Sequence, residues 1–273
     1  MSHLFDAEGW MRGDVVREML AEFLGTMVLL LFGLGVVAQT VLSRQSAGSM
    51  LSINICWGLG VMMGCYVAAG VTGAHLNPAV TLALAVHRRF PWGKAAPYIV
   101  AQVTGAFVAS LLVFLAYHDA LTAFDGGVRH VSGDLGTAGI WATYPQAFLG
   151  IGSGFLNETL GAALLMGVIL GITDSRNSPA PNGLAPVLVG LLVVAIGAAF
   201  GWNTGYAINP ARDFGPRLFT AMAGWGGEVF TAGNGWWWVP IVAPCVGAVL
   251  GAWVYDLCVG HRFPEVKTTA ETV

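Results

Sequence analysis

A 273-residue chain that is 56% hydrophobic and only 10% charged, with a mean hydropathy of +0.69, is too apolar for a water-soluble domain and reads as a multi-spanning membrane protein. Its net charge of −3 is small and spread out, which argues against a nucleic-acid surface. The four cysteines, Cys56, Cys65, Cys245 and Cys258, sit in apolar runs without metal or disulfide spacing, and no Ser/His/Asp or Cys/His set stands out, so neither an enzyme nor a bound metal or cofactor is expected.

In chain order, residues 1–16 form a short N-terminal segment whose acids precede a long apolar run without a cleavage pattern, so no removable signal peptide is expected. The first span, 17–42, carries Glu22 and a glycine run from Gly33 to Ala38 that loosely matches a dinucleotide pattern but lacks the strand and acidic partner of one. The second span, 50–71, carries Trp57 and leads into Asn77-Pro78-Ala79. Asn is a preferred helix N-cap and Pro a preferred first residue, so this triplet predicts a helix start. The apolar segment it opens, 78–87, has ten residues, roughly 15 Å of helix against a hydrocarbon core of about 30 Å. A third span follows at 94–117, then a Gly-, Thr- and Asp-rich segment, 118–149, predicted to be a long loop packed on a pore mouth. Spans at 150–173 and 184–202 carry Glu158 and Gly197, and the formal glycosylation sequon at Asn157 is refused because it abuts a membrane segment. A second triplet, Asn209-Pro210-Ala211, stands 132 positions after the first and opens another ten-residue segment, 210–219; the last span is 236–260 and the tail 261–273.

Three spans separate the two triplets, an odd number, so the half-helices enter from opposite faces. The predicted fold is an all-α membrane protein of six transmembrane helices and two re-entrant half-helices in an inverted repeat, one domain over 17–260 with halves of about 17–117 and 150–260. The openings of the halves are similar, Ala21-Glu22-Phe23-Leu24-Gly25-Thr26 against Asn157-Glu158-Thr159-Leu160-Gly161-Ala162. Eight Lys and Arg on the side of the termini against four on the other, namely Arg44, Arg129, Arg212 and Arg217, predict cytoplasmic termini. Glycine pairs at i, i+4 (60/64, 167/171, 197/201 and 247/251) predict close helix packing, chiefly within the subunit.

Half-helices meeting at their N-terminal ends place two positive dipole ends, each about half a charge, near the bilayer midplane. Asn77 and Asn209 have side-chain N–H groups to offer a passing oxygen, and Arg212 stands in the first helical turn, where a cation opposes the dipole and needs a purpose.

The strings Gly73-Ala74-His75-Leu76-Asn77-Pro78-Ala79-Val80-Thr81 and Gly205-Tyr206-Ala207-Ile208-Asn209-Pro210-Ala211-Arg212-Asp213-Phe214-Gly215-Pro216-Arg217 closely resemble the two signatures of the aquaporin family. The resemblance runs from about Arg17 to Gly260, and Asp213 after Arg212 points to the aquaglyceroporin branch, the glycerol facilitators. It implies a selectivity filter of Trp57, Gly197, Tyr206 and Arg212, with Tyr where bacterial members commonly carry Phe, and with Gly197 leaving room where water-selective members carry His. It implies that the carbonyls of Gly73, Ala74, His75, Gly205, Tyr206 and Ala207 line the pore, His75 presenting its ring or packing to fix the loop. It also implies that Glu22 and Glu158 brace the re-entrant loops, although Glu22, five residues after Arg17, has solvation at the interface as its alternative. The function implied is a passive channel of the plasma membrane for glycerol, water, urea and other small polyols, excluding ions and protons, in a homotetramer surrounded by lipid. A strictly water-selective pore is the alternative, and a cation channel would require acidic rings.

Overall fold

In hydrocarbon every backbone N–H and C=O must pair within its own segment, so uninterrupted apolar runs become helices. The structure, a computed structural model, describes residues 13–263; Arg12 and Lys267 of the charge comparison lie outside the described residues, as does most of the C-terminal tail. Among the described residues, six helices are long and apolar enough to cross a membrane. Five of them are α1 (Gly13–Leu42), α2 (Met50–Thr72), α4 (Trp92–Ala116), α6 (Ile151–Thr173) and α7 (Ala185–Thr204), and the sixth is built on α10 (Val239–Tyr255). The half-helices are α3 (Pro78–Val86) and α8 (Pro210–Met222). Among the described residues the only strand-like feature is one bridge between His130 and Gly136.

α1 begins at Gly13, four residues before the expected 17, other ends shift by one or two residues, and two further boundaries differ for local reasons. α8 runs three residues past Phe219 because Ala223 N–H still finds the carbonyls of Phe219 and Thr220. The last span begins at Val239, with Trp236–Trp238 in a tighter turn before it. The 118–149 segment contains a short helix, α5 (His118–Asp125), and then dives inward, burying Ile140, Trp141 and Ala142 almost completely. A further short helix, α9 (Glu228–Gly235), is broken at Ala232–Asn234.

The helices approach through small residues. α2 and α7 cross at Gly58 and Gly190, where a carbon added to either would come within 2.6 Å of the other's carbonyl oxygen. Gly60 and Gly64 lie against the α1 backbone at Leu29 and Gly25, and Gly247 and Gly251 lie against Thr159 and Ala163 of α6. Large apolar side chains such as Leu20, Leu51, Val100, Leu115 and Leu191 face outward, as a lipid-facing surface requires.

The two re-entrant loops repeat each other residue for residue at the backbone. α2 ends at Gly73 (φ +78°), followed by Ala74 (+56°) and Leu76 (+51°). α7 ends at Gly205 (φ +79°), followed by Tyr206 (+39°) and Ile208 (+45°). Left-handed backbone at non-glycine residues is disfavoured and persists only when neighbouring groups hold it.

Candidate functional site

Glu22 and Glu158, both fully buried, hold these loops. Glu22 accepts from His75 N–H (3.0 Å), Leu76 N–H (2.8 Å), Thr72 Oγ1 (2.6 Å) and Gln102 Nε2 (2.8 Å). Glu158 accepts from Ala207 N–H (3.0 Å) and Ile208 N–H (2.8 Å), the matching positions of the second loop. A carboxylate spans two successive N–H groups of an irregular turn that has no helical acceptors for them, which is why one acid is buried in each of α1 and α6, about two turns in. Full burial leaves Glu22 no solvated position at the interface.

Held in this way, the half-helices meet end to end. Asn77 Oδ1 accepts from Ala79 N–H (2.8 Å), and its Nδ2 donates to Ile208 O (2.9 Å) across the junction. Asn209 mirrors it: Oδ1 accepts from Ala211 N–H (3.0 Å) and Nδ2 donates to Leu76 O (2.8 Å). Each asparagine amide is therefore fixed at its oxygen and at one N–H, which leaves the other N–H for a solute. Pro78 and Pro210 take first helical positions where a missing N–H costs nothing, and Ala79 and Ala211, both buried, allow the close junction.

A cavity of about 340 Å³ runs along the junction. Residues 73–77 and 205–209 form one wall of it, and apolar side chains such as Val61, Leu84, Leu165 and Val193 form the other. Trp57, Tyr206 and Arg212 line it as well. His75 does so while packed: Nδ1 lies 3.1 Å from Thr81 Oγ1, and the ring centroid is 4.7 Å from that of Phe90 and 5.2 Å from that of Tyr98.

The filter residues depart from expectation in two ways. Gly197 does not line the cavity; its missing side chain is filled by the Tyr206 ring, whose Cζ would lie 2.7 Å from a carbon added there, and Gly201 one turn on seats the same ring. The open gap expected at Gly197 is thus a socket, because two glycines on one helix face expose a groove that an aromatic ring fills. Trp57, in turn, carries the Arg212 guanidinium on its face, with Cζ 4.2 Å from the ring centroid, rather than forming a purely apolar corner. Arg212 Nη1 donates to Trp141 O at 2.9 Å. Gly33, part of the refused glycine run, is where Trp57 lies against α1.

Asp213 points away from the cavity. It accepts from Thr143 N–H (2.7 Å), Thr143 Oγ1 (2.6 Å) and Arg217 Nε (2.8 Å). Arg217, fully buried, also donates to Val229 O and Thr143 O and stacks on the Tyr144 ring. This clamp ties residues 141–144 to α8 and so positions the Trp141 carbonyl that holds Arg212. Burial pushes the Tyr144 phenol up to about 12, so it stays neutral beside the clamp. In sequence Arg217 closes the second signature string and counts as a charge of the far side, with no partner expected for it; its i, i+4 spacing from Asp213 was the available signal. Trp141, Thr143 and Gln102 carry no signal in sequence, since their contacts are long-range.

Residues 10–255 match the profile of the family described as Major intrinsic protein. The chain belongs to this family. Among relatives of the major intrinsic protein chain, "Aquaporin-10" of Milnesium tardigradum is 49% identical over 94% of the chain, which spans 66% of that relative's length. "Aquaglyceroporin-2" of Rhizophagus irregularis is 50% identical, covering 88% of this chain and 76% of the relative. The X-ray structure of the aquaglyceroporin from Plasmodium falciparum superposes with a TM-score of 0.81 at 35% identity, covering 89% of this chain and 97% of that one.

Proposed function

We propose that this major intrinsic protein is a passive, bidirectional channel for glycerol and other small neutral solutes, urea included, that also conducts water and excludes ions and protons. The observation that carries this reading is the constriction: an aromatic Trp57 face and Tyr206 ring share one cavity with the Arg212 guanidinium and a wall of re-entrant backbone. A polyol needs apolar contact for its CH groups and hydrogen bonds for its hydroxyls, and this pairing supplies both. Relatives and a solved structure that bear the name aquaglyceroporin support it. Two positive half-helix ends and Arg212 oppose cations and protons, the established barrier of aquaporin-type pores.

The working unit we propose is a homotetramer in the plasma membrane, one pore per subunit, with both termini cytoplasmic. Arg212 and Arg217 are buried inside the protein and drop out of the charge comparison, which leaves the far face with Arg44 and Arg129 only and strengthens the positive-inside argument. No catalytic or cofactor role is proposed. Stopped-flow light scattering of proteoliposomes challenged separately with sucrose, glycerol and urea tests the reading. Re-swelling in glycerol at a rate well above empty liposomes is expected; shrinkage in sucrose without re-swelling in glycerol favours the strictly water-selective alternative.

A further inference from the structure

α3 closes in a turn where Arg89 N–H donates to Leu84 O (2.8 Å) and Arg88 N–H to Ala85 O (3.1 Å), with Arg88 at φ +57°. This is the paired 6→1 and 5→2 closure whose left-handed position normally takes glycine, because a Cβ is disfavoured there. Among the other helices, α2, α5, α7 and α8 close on a positive-φ glycine, Gly73, Gly126, Gly205 and Gly224, whereas α1 closes as α3 does, on an arginine, Arg44 at φ +51°. A long cationic side chain at a left-handed position calls for a use outside the turn; Arg44 has one within the protein, its guanidinium lying 4.6 Å from the Phe124 ring centroid, whereas the Arg88 side chain has no such partner among the described residues.

The surroundings indicate which function. Arg89 is neutralised by Asp256 at 2.6 Å and Lys94 by Glu18 at 2.8 Å, whereas Arg88 is exposed and absent from every ion pair among the described residues. A shallow, open recess lies beside it, lined by Ala85, Arg88, Arg89, Phe90, Pro91 and Trp92. Its cation stands beside an apolar floor of Ala85, Phe90, Pro91 and Trp92, with Arg89 completing a mixed lining. Trp92 is 53% exposed at the first residue of a membrane-crossing helix, the level at which indole rings mark the boundary between headgroups and hydrocarbon. Further along the same helix, Val100 and Leu115 are 58% and 61% exposed, an outward path for acyl chains.

We propose that this recess binds the headgroup of an anionic phospholipid, with the Arg88 guanidinium on the phosphate and Trp92 on the glycerol–acyl boundary. A free inorganic anion satisfies only the guanidinium and leaves the apolar floor unused. The recess closes the half-helix that carries Asn77 at its other end, so an occupied site anchors one wall of the pore from the membrane interface. The site depends on the membrane fold and not on which solute is conducted.

The test uses the purified full chain in neutral detergent, titrated with phosphatidylglycerol, phosphatidylcholine or inorganic phosphate, and read by native mass spectrometry and thermal unfolding. The wild type is expected to bind phosphatidylglycerol preferentially and to gain thermal stability from it. Arg88→Gly is expected to weaken that binding about fivefold, equivalent to about 1 kcal/mol for one basic side chain at an anionic lipid. The same variant is expected to unfold at a higher temperature than wild type without lipid, because glycine relieves the left-handed position, so lost binding is separable from misfolding. Arg17→Gln, an exposed cation on the same face, controls for diffuse attraction and is expected to leave binding unchanged. Equal phosphatidylglycerol binding by wild type and Arg88→Gly, equal losses in Arg88→Gly and Arg17→Gln, or equal stabilisation by inorganic phosphate overturns the proposal.

Discussion

Arg212 combines three constraints in one side chain: burial (7% exposed), a cation–π contact with Trp57, and a single hydrogen bond to Trp141 O. Its charge repels a second cation 4 Å away by about 4 kcal/mol at an effective dielectric of 20, enough to slow cation entry by hundreds-fold. Arg212→Val is expected to leave assembly largely intact and to raise proton leak at least about tenfold in dye-loaded proteoliposomes; unchanged leak with undiminished solute flux removes Arg212 from the filter. Gly197 is a socket, so even a methyl group there meets Tyr206 Cζ at 2.7 Å and Asn54 Oδ1 at 2.8 Å. Gly197→Ala is expected to destabilise by about 1–3 kcal/mol and to lower glycerol flux more than water flux as the ring is pushed toward the cavity. Wild-type thermal stability and an unchanged ratio of the two fluxes count against the socket.

The re-entrant loops are made possible by acids that stand far from them in sequence. Removing the Glu22 carboxylate leaves His75 N–H and Leu76 N–H without an acceptor inside the protein, at about 1–3 kcal/mol each. Glu22→Ala is therefore expected to lower the yield of folded protein sharply, measured by size-exclusion chromatography in detergent; a variant that purifies and conducts as wild type shows that the brace is dispensable. The second loop relies in addition on the clamp of Asp213, Arg217, Thr143 and Tyr144. Because the Tyr144 phenol is raised by burial from the usual value of about 10 to about 12, the unfolded chain loses this proton first as pH rises. Stability from this group is complete below about pH 10 and is lost as pH climbs through about 12. Tyr144→Phe is expected to flatten that alkaline loss in thermal melts between those pH values, and an unaltered profile places the alkaline sensitivity elsewhere.

At the scale of the molecule, an apolar outer surface surrounds a polar seam in which nearly every buried charge has a partner. Such a body needs an apolar medium, a bilayer or a detergent micelle, and the proposed orientation in a bilayer rests on the exposed cations. Cys258, exposed at the end of the last helical segment, reports on that orientation. A membrane-impermeant maleimide is expected to label Cys258 in inside-out vesicles and not in intact cells, whereas labelling in intact cells reverses the proposed topology. The remaining cysteines are less exposed and provide the internal control.

The six spans and the two half-helix starts were legible from sequence because hydrocarbon forces the backbone to pair within each segment, and because Asn-Pro is a local start signal. The inverted arrangement followed from counting spans. That Glu22 and Glu158 need partners was legible as well, since an acid in a span must have one. Tertiary structure alone decided who the partners were. Tyr206 fills Gly197, Arg212 lies on Trp57, and residues 141–144, which look like an unremarkable loop, fold inward to supply the carbonyl that holds Arg212. These contacts join positions 9 to 155 residues apart in the chain, and no local periodicity or composition encodes which ring meets which groove. Patterning specifies where the backbone must be helical; which side chains then meet across the pore is set by packing between helices that the chain brings together only when it folds.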